Sequence, residues 1–363
     1  MSSRLVKYRM DLHQIPELGF EEFKTKAYLY EQIKELNCII HEVGKTGLIL
    51  YFNKQQNQTV AFRADMDALP LHEMTGLDFA STHSGLMHAC GHDGHMAILL
   101  GLAHYIDQEE TLSKNVVLVF QPSEEKEAGA HTIVASGLLE HYQVEAIYGL
   151  HLWPGLTKGQ VYSRAKELMA QASEVTVVVH GKSAHVASSA KGIDALQIAC
   201  RYLTDIYNME ATLPDDTYRL LKFGQFNSGT VRNILSEETK IEGTLRSYSS
   251  EIHNHLKSEL QIIANRYEKE YGCKITIDYN DGYDAVINDV LLFSEAKDKI
   301  PYLQELEKPV LQAEDFGVYG QHHPTLFCFL GLGDTPPLHN SKFDFDMSVL
   351  DKGLELFIDL LQI

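Results

Sequence analysis

The sequence predicts an α/β fold: a central mixed sheet flanked by helices, with an inserted α+β domain. Three observations predict it. Apolar strand-like runs alternate with helix-like segments through the first part of the chain, the signature of a sheet covered by helices. The texture then changes at about Ala170 to shorter, alternating strands. Finally, 363 residues exceed the size at which one hydrophobic core keeps growing, so two domains are expected.

An amphipathic opening helix is expected through about Leu36. Residues 60–64 form a short apolar strand that delivers Asp65, Met66 and Asp67 at its end. Residues 95–106 are apolar on nearly all sides, with small Gly101 and Ala103, and predict a buried helix. The continuous apolar run 116–120 suits the middle of a sheet and ends at Gln121, Pro122, Ser123, Glu124 and Glu125. Residues 146–150 repeat the pattern and end at His151. Three strand ends thus present polar groups, where open α/β sheets place their ligand sites. Residues 171–283 are expected to form the inserted domain, with strands at 174–180, 218–226, 240–248 and 273–279 and helices at 194–208 and 252–271. The remainder returns to the first domain, which spans 1–170 and 284–363, through a helix at 289–296, a strand at 325–330 and a closing helix from Met347.

The net charge of −19 argues against nucleic acid or anionic membrane as partners, and no basic patch offsets it. No run approaches the roughly 18 apolar residues that span a bilayer, and no apolar core follows Met1, Ser2, Ser3 and Arg4. A cytoplasmic protein is expected. Five cysteines, odd in number and widely spaced, fit reduced thiols better than a disulfide framework.

The densest chemistry lies between Met87 and His95, where His88, Cys90, His92, Asp93 and His95 crowd together. A thiolate at Cys90 and an imidazole at His92 can reach one cation if Gly91 lets the backbone turn sharply. The competing reading is a buried cysteine beside solvated histidines. A redox role for Cys90 would lack a resolving cysteine nearby. Glu124 and Glu125 repel one another at a sheet's mouth unless a cation compensates them, whereas on open surface the pair would mean nothing. His151 reads either as a ligand or as a core histidine bonded to backbone, and His339 lies in a Pro-rich loop. Together these residues suffice for two divalent ions sharing a bridge, whereas a structural zinc needs only four ligands.

With these segments in view, the chain resembles the dinuclear metallohydrolase family of aminoacylases and carboxypeptidase-G-like enzymes. The resemblance is to its amidohydrolase branch of hippurate hydrolases, indole-acetyl-amino-acid hydrolases and N-acetyldiaminopimelate deacetylases. Matching segments run through Asp11 to Gly19, Arg63 to Pro70, the Cys90 cluster, Gln121 to Glu125, Gly149 to His151, Ala313 to Phe316 and Leu338–His339. The resemblance implies that Cys90 bridges two metals, that His92, Glu125, His151 and His339 complete their shells, and that Glu124 is the general base for attack by a metal-bound water. It gives Asp67 the task of orienting a neighbouring ligand. The inserted domain resembles a lid and dimerisation module, in which His185 stabilises the oxyanion, often across a homodimer interface, while Asn233 and Arg246 hold the substrate's amide and α-carboxylate. Where many relatives carry a Pro-His pair after that histidine, this chain has Ser189 and Ala190. The expected activity is hydrolysis of small N-acyl-L-amino acids. The alternatives are an N-acetyl-L,L-diaminopimelate deacetylase of lysine synthesis, a dipeptidase, and a non-catalytic metal-binding homologue. Sulfur and imidazole favour zinc, while carboxylates also admit manganese, cobalt or nickel.

Overall fold

The apolar runs of the first third become fully buried strands. The computed structural model describes residues 2–214 and 217–363. In chain order the first elements are α1 (Ser2–His13), α2 (Phe23–Ile33), β1 (Ile39–Val43), β2 (Gly47–Phe52), β3 (Thr59–Asp65), α3 (His92–Gln108) and β4 (Asn115–Gln121). Three short helices, α4 (Glu124–Glu127), α5 (Ala130–Ala135) and α6 (Leu138–His141), lead to β5 (Val144–Trp153), β6 (Val161–Ser163) and β7 (Lys166–Met169). Next come β8 (Gln171–His180), α7 (Ala195–Glu210), β9 (Arg219–Ser228), β10 (Glu238–Ser247), α8 (Ser250–Tyr271) and β11 (Lys274–Tyr283). The chain closes with β12 (Val286–Asn288), α9 (Val290–Lys299), β13 (Leu303–Glu305), α10 (Gly317–Gly320), β14 (Thr325–Gly331) and α11 (Val349–Gln362).

Two compact units result. The first holds residues through Leu168, Val286–Pro309 and Glu314–Ile363; the second holds Met169–Ala285 and Val310–Ala313. The return to the first unit, expected at residue 284, is therefore interrupted by a four-residue excursion. In the first unit, among the described residues, an eight-stranded mixed sheet runs in the order β1-β2-β4-β3-β5-β14-β6-β13. β4, β3, β5 and β14 are mutually parallel, so their carboxyl ends line one edge. Its core joins Phe62, Leu118, Tyr148 and Leu150 of the sheet to Leu99 and Leu102 of α3 and Leu354 and Phe357 of α11.

The single opening helix is in fact two. Pro16 disfavours helical backbone at Ile15, and Phe20 takes a left-handed φ of 59°. The amphipathic pattern continues across this break, which is why periodicity alone conceals it. His151 also differs from expectation. It lies inside β5, two residues short of the strand's end at Trp153.

The second unit is an antiparallel sheet, β11-β8-β10-β9. Val175, Val177 and Val179 alternate inward and pack with Ile198, Tyr202 and Ile206 of α7 and Leu256 and Leu260 of α8. Among the described residues no helix is long and apolar enough to cross a membrane.

Candidate metal centre

Six chemistry-bearing residues converge at the carboxyl edge of the first unit's sheet. Gly91 caps α3 with φ 87°, a conformation that suits glycine, and this turn sets Cys90 and His92 on adjoining backbone. β4 ends in a tight turn at Pro122, where Ser123 and Ala128 both adopt left-handed backbone, φ 53° and 46°. Gly129 is obligatory there, because a Cβ would overlap the Pro122 carbonyl oxygen. The turn projects Glu124 and Glu125, and the Asp67 carboxylate accepts both of their N–H groups, at 2.9 and 3.0 Å. His339 has φ 61°, and its N–H donates to the Ala89 carbonyl at 2.8 Å, tying its loop to the Cys90 segment.

The donor atoms face one another. Cys90 Sγ lies 3.5 Å from His151 Nε2, and His339 Nε2 lies 3.2 Å from Glu125 Oε1. His92 Nε2 is 3.9 Å from Glu125 Oε1 and 4.0 Å from Glu124 Oε2. Within each of the trios Cys90–His92–His151, Cys90–Glu125–His339 and His92–Glu124–Glu125, the donor atoms all lie within 4.8 Å of one another. Backbone carbonyls orient the rings: His92 Nδ1 donates to Asp67 O at 2.8 Å and His151 Nδ1 to Leu152 O at 2.7 Å. Both imidazoles thus turn Nε2 toward the cluster, as metal-bound histidines do.

These residues fit a pair of divalent cations. His92 Nε2 is buried without a hydrogen-bond partner, and buried Glu125 Oε1 faces His339 Nε2 at 3.2 Å. Burial, with Glu125 and Glu124 adding repulsion, pushes the Cys90 thiol well up. Burial, with Glu314 and Glu125 beside it, raises the Glu124 carboxyl well above its usual range. Burial would lower His92, but Asp65 and Asp67 overcome it and lift the ring to about 10. A cavity that crowds a thiol and acids together and pushes them toward their protonated forms is one that a cation relieves.

His95 stands apart from the set. Its Nδ1 meets Asp65 Oδ1 at 2.6 Å and its Nε2 accepts the Leu152 N–H at 2.9 Å, so both nitrogens are spent on structure. His88 is buried with neither ring nitrogen bonded, and burial drives it down to about 4. Beside it, His13 Nδ1 meets Asp93 Oδ2 at 2.8 Å, and Arg9 donates to the same oxygen at 3.2 Å.

Sequence reading overlooked the lattice beneath the site. Arg63, fully buried in β3, donates to Gln121 Oε1 at 2.8 Å, Asp65 Oδ2 at 2.7 Å, Glu314 Oε1 at 2.9 Å and Asp315 Oδ1 at 2.7 Å. Burial would lower the guanidinium's pKa, but Glu314, Asp65 and Asp315 hold it well above the usual value. Asp315 also accepts the Ala130 N–H at 3.0 Å, bracing the far side of the Glu124 turn. A charged residue in the middle of an apolar strand was the available signal.

The second unit holds the other candidates. His185 and Asn233 are exposed neighbours: His185 bridges Ile234, and the Val186 N–H donates to Asn233 O at 3.1 Å. Arg246 sits near the opposite end of β10, donating to Leu311 O at 2.7 Å while its buried Nε has no hydrogen-bond partner.

This fold and donor set define a metallohydrolase. The chain belongs to peptidase family M20/M25/M40, whose model matches residues 61–363, and it is a metal-dependent hydrolase of amide C–N bonds. It is 33% identical to the N-acetyldiaminopimelate deacetylase of Oceanobacillus iheyensis, covering 99% of both chains. With that of Shouchella clausii it shares 33%, covering 98% of this chain and 97% of the relative. Among solved structures, a Bacillus subtilis dinuclear metal-binding peptidase of the M20 family matches with TM-score 0.86 at 29% identity, covering 99% of this chain and 97% of the other. A structure from methicillin-resistant Staphylococcus aureus matches with TM-score 0.91 at 28% identity, covering 99% and 96%.

Proposed function

We propose that this protein deacylates small N-acyl-L-amino acids, with N-acetyl-L,L-diaminopimelate the first substrate to test. The convergence of one thiol, three imidazoles and two adjacent glutamates, with Nε2 of His92 buried and unbonded, carries the reading. The relatives named N-acetyldiaminopimelate deacetylase, aligned over almost the whole chain, support the particular substrate.

Cys90, His92, Glu125, His151 and His339 would hold two divalent cations, with Cys90 proposed as the shared ligand. Such cations supply Lewis acidity to the scissile carbonyl and to water. Glu124 takes the water's proton and returns it to the departing amine. Burial and the neighbouring acids raise its carboxyl well above the usual range, which makes it a stronger base than a solvated glutamate. Asp67 fixes the aim of both glutamates by gripping their backbone. Thiolate and imidazole favour zinc, and the carboxylates leave manganese, cobalt and nickel as working alternatives. Five unpaired cysteines support a cytoplasmic setting.

His185 is proposed to stabilise the oxyanion, Asn233 to hold the amide, and Arg246 to grip the α-carboxylate with its planar fork. From Glu238 to Arg246 the strand advances roughly 26 Å, and His185 and Asn233 lie beyond its Glu238 end. One N-acyl amino acid is too short to reach both ends of one strand. That separation supports a homodimer in which His185 and Asn233 of the partner subunit complete each site.

The test is hydrolysis of N-acetyldiaminopimelate, N-acetyl-, N-benzoyl- and indole-acetyl-amino acids and several dipeptides by metal-loaded protein, with chelated protein as control. Turnover of acyl-amino acids that chelation abolishes is expected. Metal-loaded protein that turns over none of them would leave a non-catalytic metal-binding role.

A further inference from the structure

Glu22 immediately precedes α2, yet its side chain caps nothing there. An acceptor in that position ordinarily takes the helix's own first N–H groups. Here that task falls to Glu17, whose carboxylate accepts from Lys24 N at 2.8 Å and Thr25 N at 2.9 Å. Glu22 turns away, fully buried, and accepts the Thr46 hydroxyl at 2.6 Å and the Ser123 N–H at 2.8 Å. Burying a carboxylate for two hydrogen bonds is unfavourable unless the geometry it fixes matters.

Ser123 is the residue before Glu124, and its left-handed backbone is one that non-glycine residues avoid. Gly19, from the same N-terminal segment, presses so close that a Cβ there would overlap the Ser123 hydroxyl. Strained residues persist only where their surroundings over-determine them. Asp67 and Asp315 hold the backbone of Glu124, Glu125 and Ala130; the Ser123 N–H is held by Glu22 alone among the hydrogen bonds of the described residues.

We propose that Glu22 is a positioning residue for amide hydrolysis: through the Ser123 N–H it fixes the strained turn that aims Glu124. The N-terminal segment, which precedes the residues matched by the family model, then belongs to the working site. The inference rests on Glu124 being the base. Its agent is a hydrogen bond rather than a charge. Burial, opposed by the Thr46 bond, lifts Glu22 to about 7, so near neutrality it exists in both forms. The neutral acid still accepts the Ser123 N–H through its carbonyl oxygen and donates to Thr46 Oγ. Glutamine does the same.

The experiment compares Glu22→Ala, Glu22→Asp, Glu22→Gln and Thr46→Val with the parent, all metal-loaded. Two readouts are taken: kcat and KM on the parent's fastest substrate, and amide hydrogen exchange of the 121–130 segment without substrate. Glu22→Ala and Glu22→Asp are expected to lower kcat at least about tenfold with KM within about threefold, since a small misplacement of a catalytic group costs rate more than binding. Exchange in the segment should accelerate about tenfold or more in the same two variants. Glu22→Gln should stay within about threefold of the parent in both readouts, and Thr46→Val, which strands one Glu22 oxygen but leaves the Ser123 bond, should lose less than Glu22→Ala in both. Parental kcat and exchange in Glu22→Ala would overturn the proposal. So would losses in Glu22→Gln or Thr46→Val as large as those in Glu22→Ala, which would point to charge or to general core stability. If Glu22→Ala does not fold, Glu22→Asp and Glu22→Gln decide by the same criteria. A parent that hydrolyses no acyl-amino acid would sink the functional reading, and exchange alone would still decide whether Glu22 holds the turn.

Discussion

Replacing Arg63 by methionine should destabilise the metal-free protein by about 3–5 kcal/mol near pH 7, the usual cost of stranding buried charges by removing one partner. The structure sets both the size and the pH dependence of the loss. Arg63 satisfies three carboxylates and one amide from a position shielded from solvent, and methionine fills the volume while donating nothing. Burial already raises Glu314 and Asp315, and Arg63 is the first influence holding each of them down. Without it, the folded variant should retain one proton more than the parent does. The unfolded chain loses that proton above about pH 4–5. The folded state therefore binds the excess proton, and stability falls as pH rises by about 1.4 kcal/mol per pH unit. Between about pH 5 and pH 7 the penalty should grow by about 2.7 kcal/mol. Urea midpoints for chelated parent and variant at those two pH values measure it. A loss below about 1 kcal/mol at pH 7, or an equal loss at both pH values, would refute the claim that this arginine neutralises the acids under the site.

Three further outcomes follow from the site. Glu124→Gln should keep both metals by elemental analysis while kcat falls about a thousandfold, the usual worth of a general base; a fall of less than tenfold would reassign the base. Because burial and Glu125 push the Cys90 thiol up, metal binding must expel its proton. Calorimetry in buffers of different ionisation enthalpy should show proton release, and affinity should weaken as pH falls from about 8 to 6. Full alkylation of Cys90 with metal content unchanged would remove its bridging role. Finally, His185→Ala and Arg246→Ala should each be inactive alone, yet after mixed refolding they should recover about a quarter of parental activity, since half of the dimers would carry one intact site. No recovery despite mixed dimers would place His185 and Arg246 in one subunit's site.

The chemistry-bearing residues were legible in the sequence where they are packed into short segments. Cys90 and His92 flank one glycine, and Glu124 and Glu125 follow an apolar strand closely, so spacing alone brought them together. The central strands were legible because parallel strands buried on both faces read as unbroken apolar runs. β1 was not: Ile39 is half exposed, and its five residues alternate too briefly for a pattern. The Arg63 lattice was illegible for another reason. Its partners are remote in sequence, and the distance between Arg63 and Glu314 is a property of the folded sheet rather than of either segment.

The same limit hid a distinction among the acids. A net charge of −19 suggests a solvated acidic surface, and two adjacent glutamates suggest a cation. Yet Glu22, Asp67 and Asp315 are buried, and each accepts backbone N–H groups from the turn between residues 123 and 130. Their carboxylates satisfy N–H groups that, at the start of a helix, have no carbonyl of that helix to bond. Such a device suits a site whose reacting groups must stand on a strained corner of the chain. It holds Glu124 through the backbone, and it makes residues remote in sequence answerable for where that side chain points.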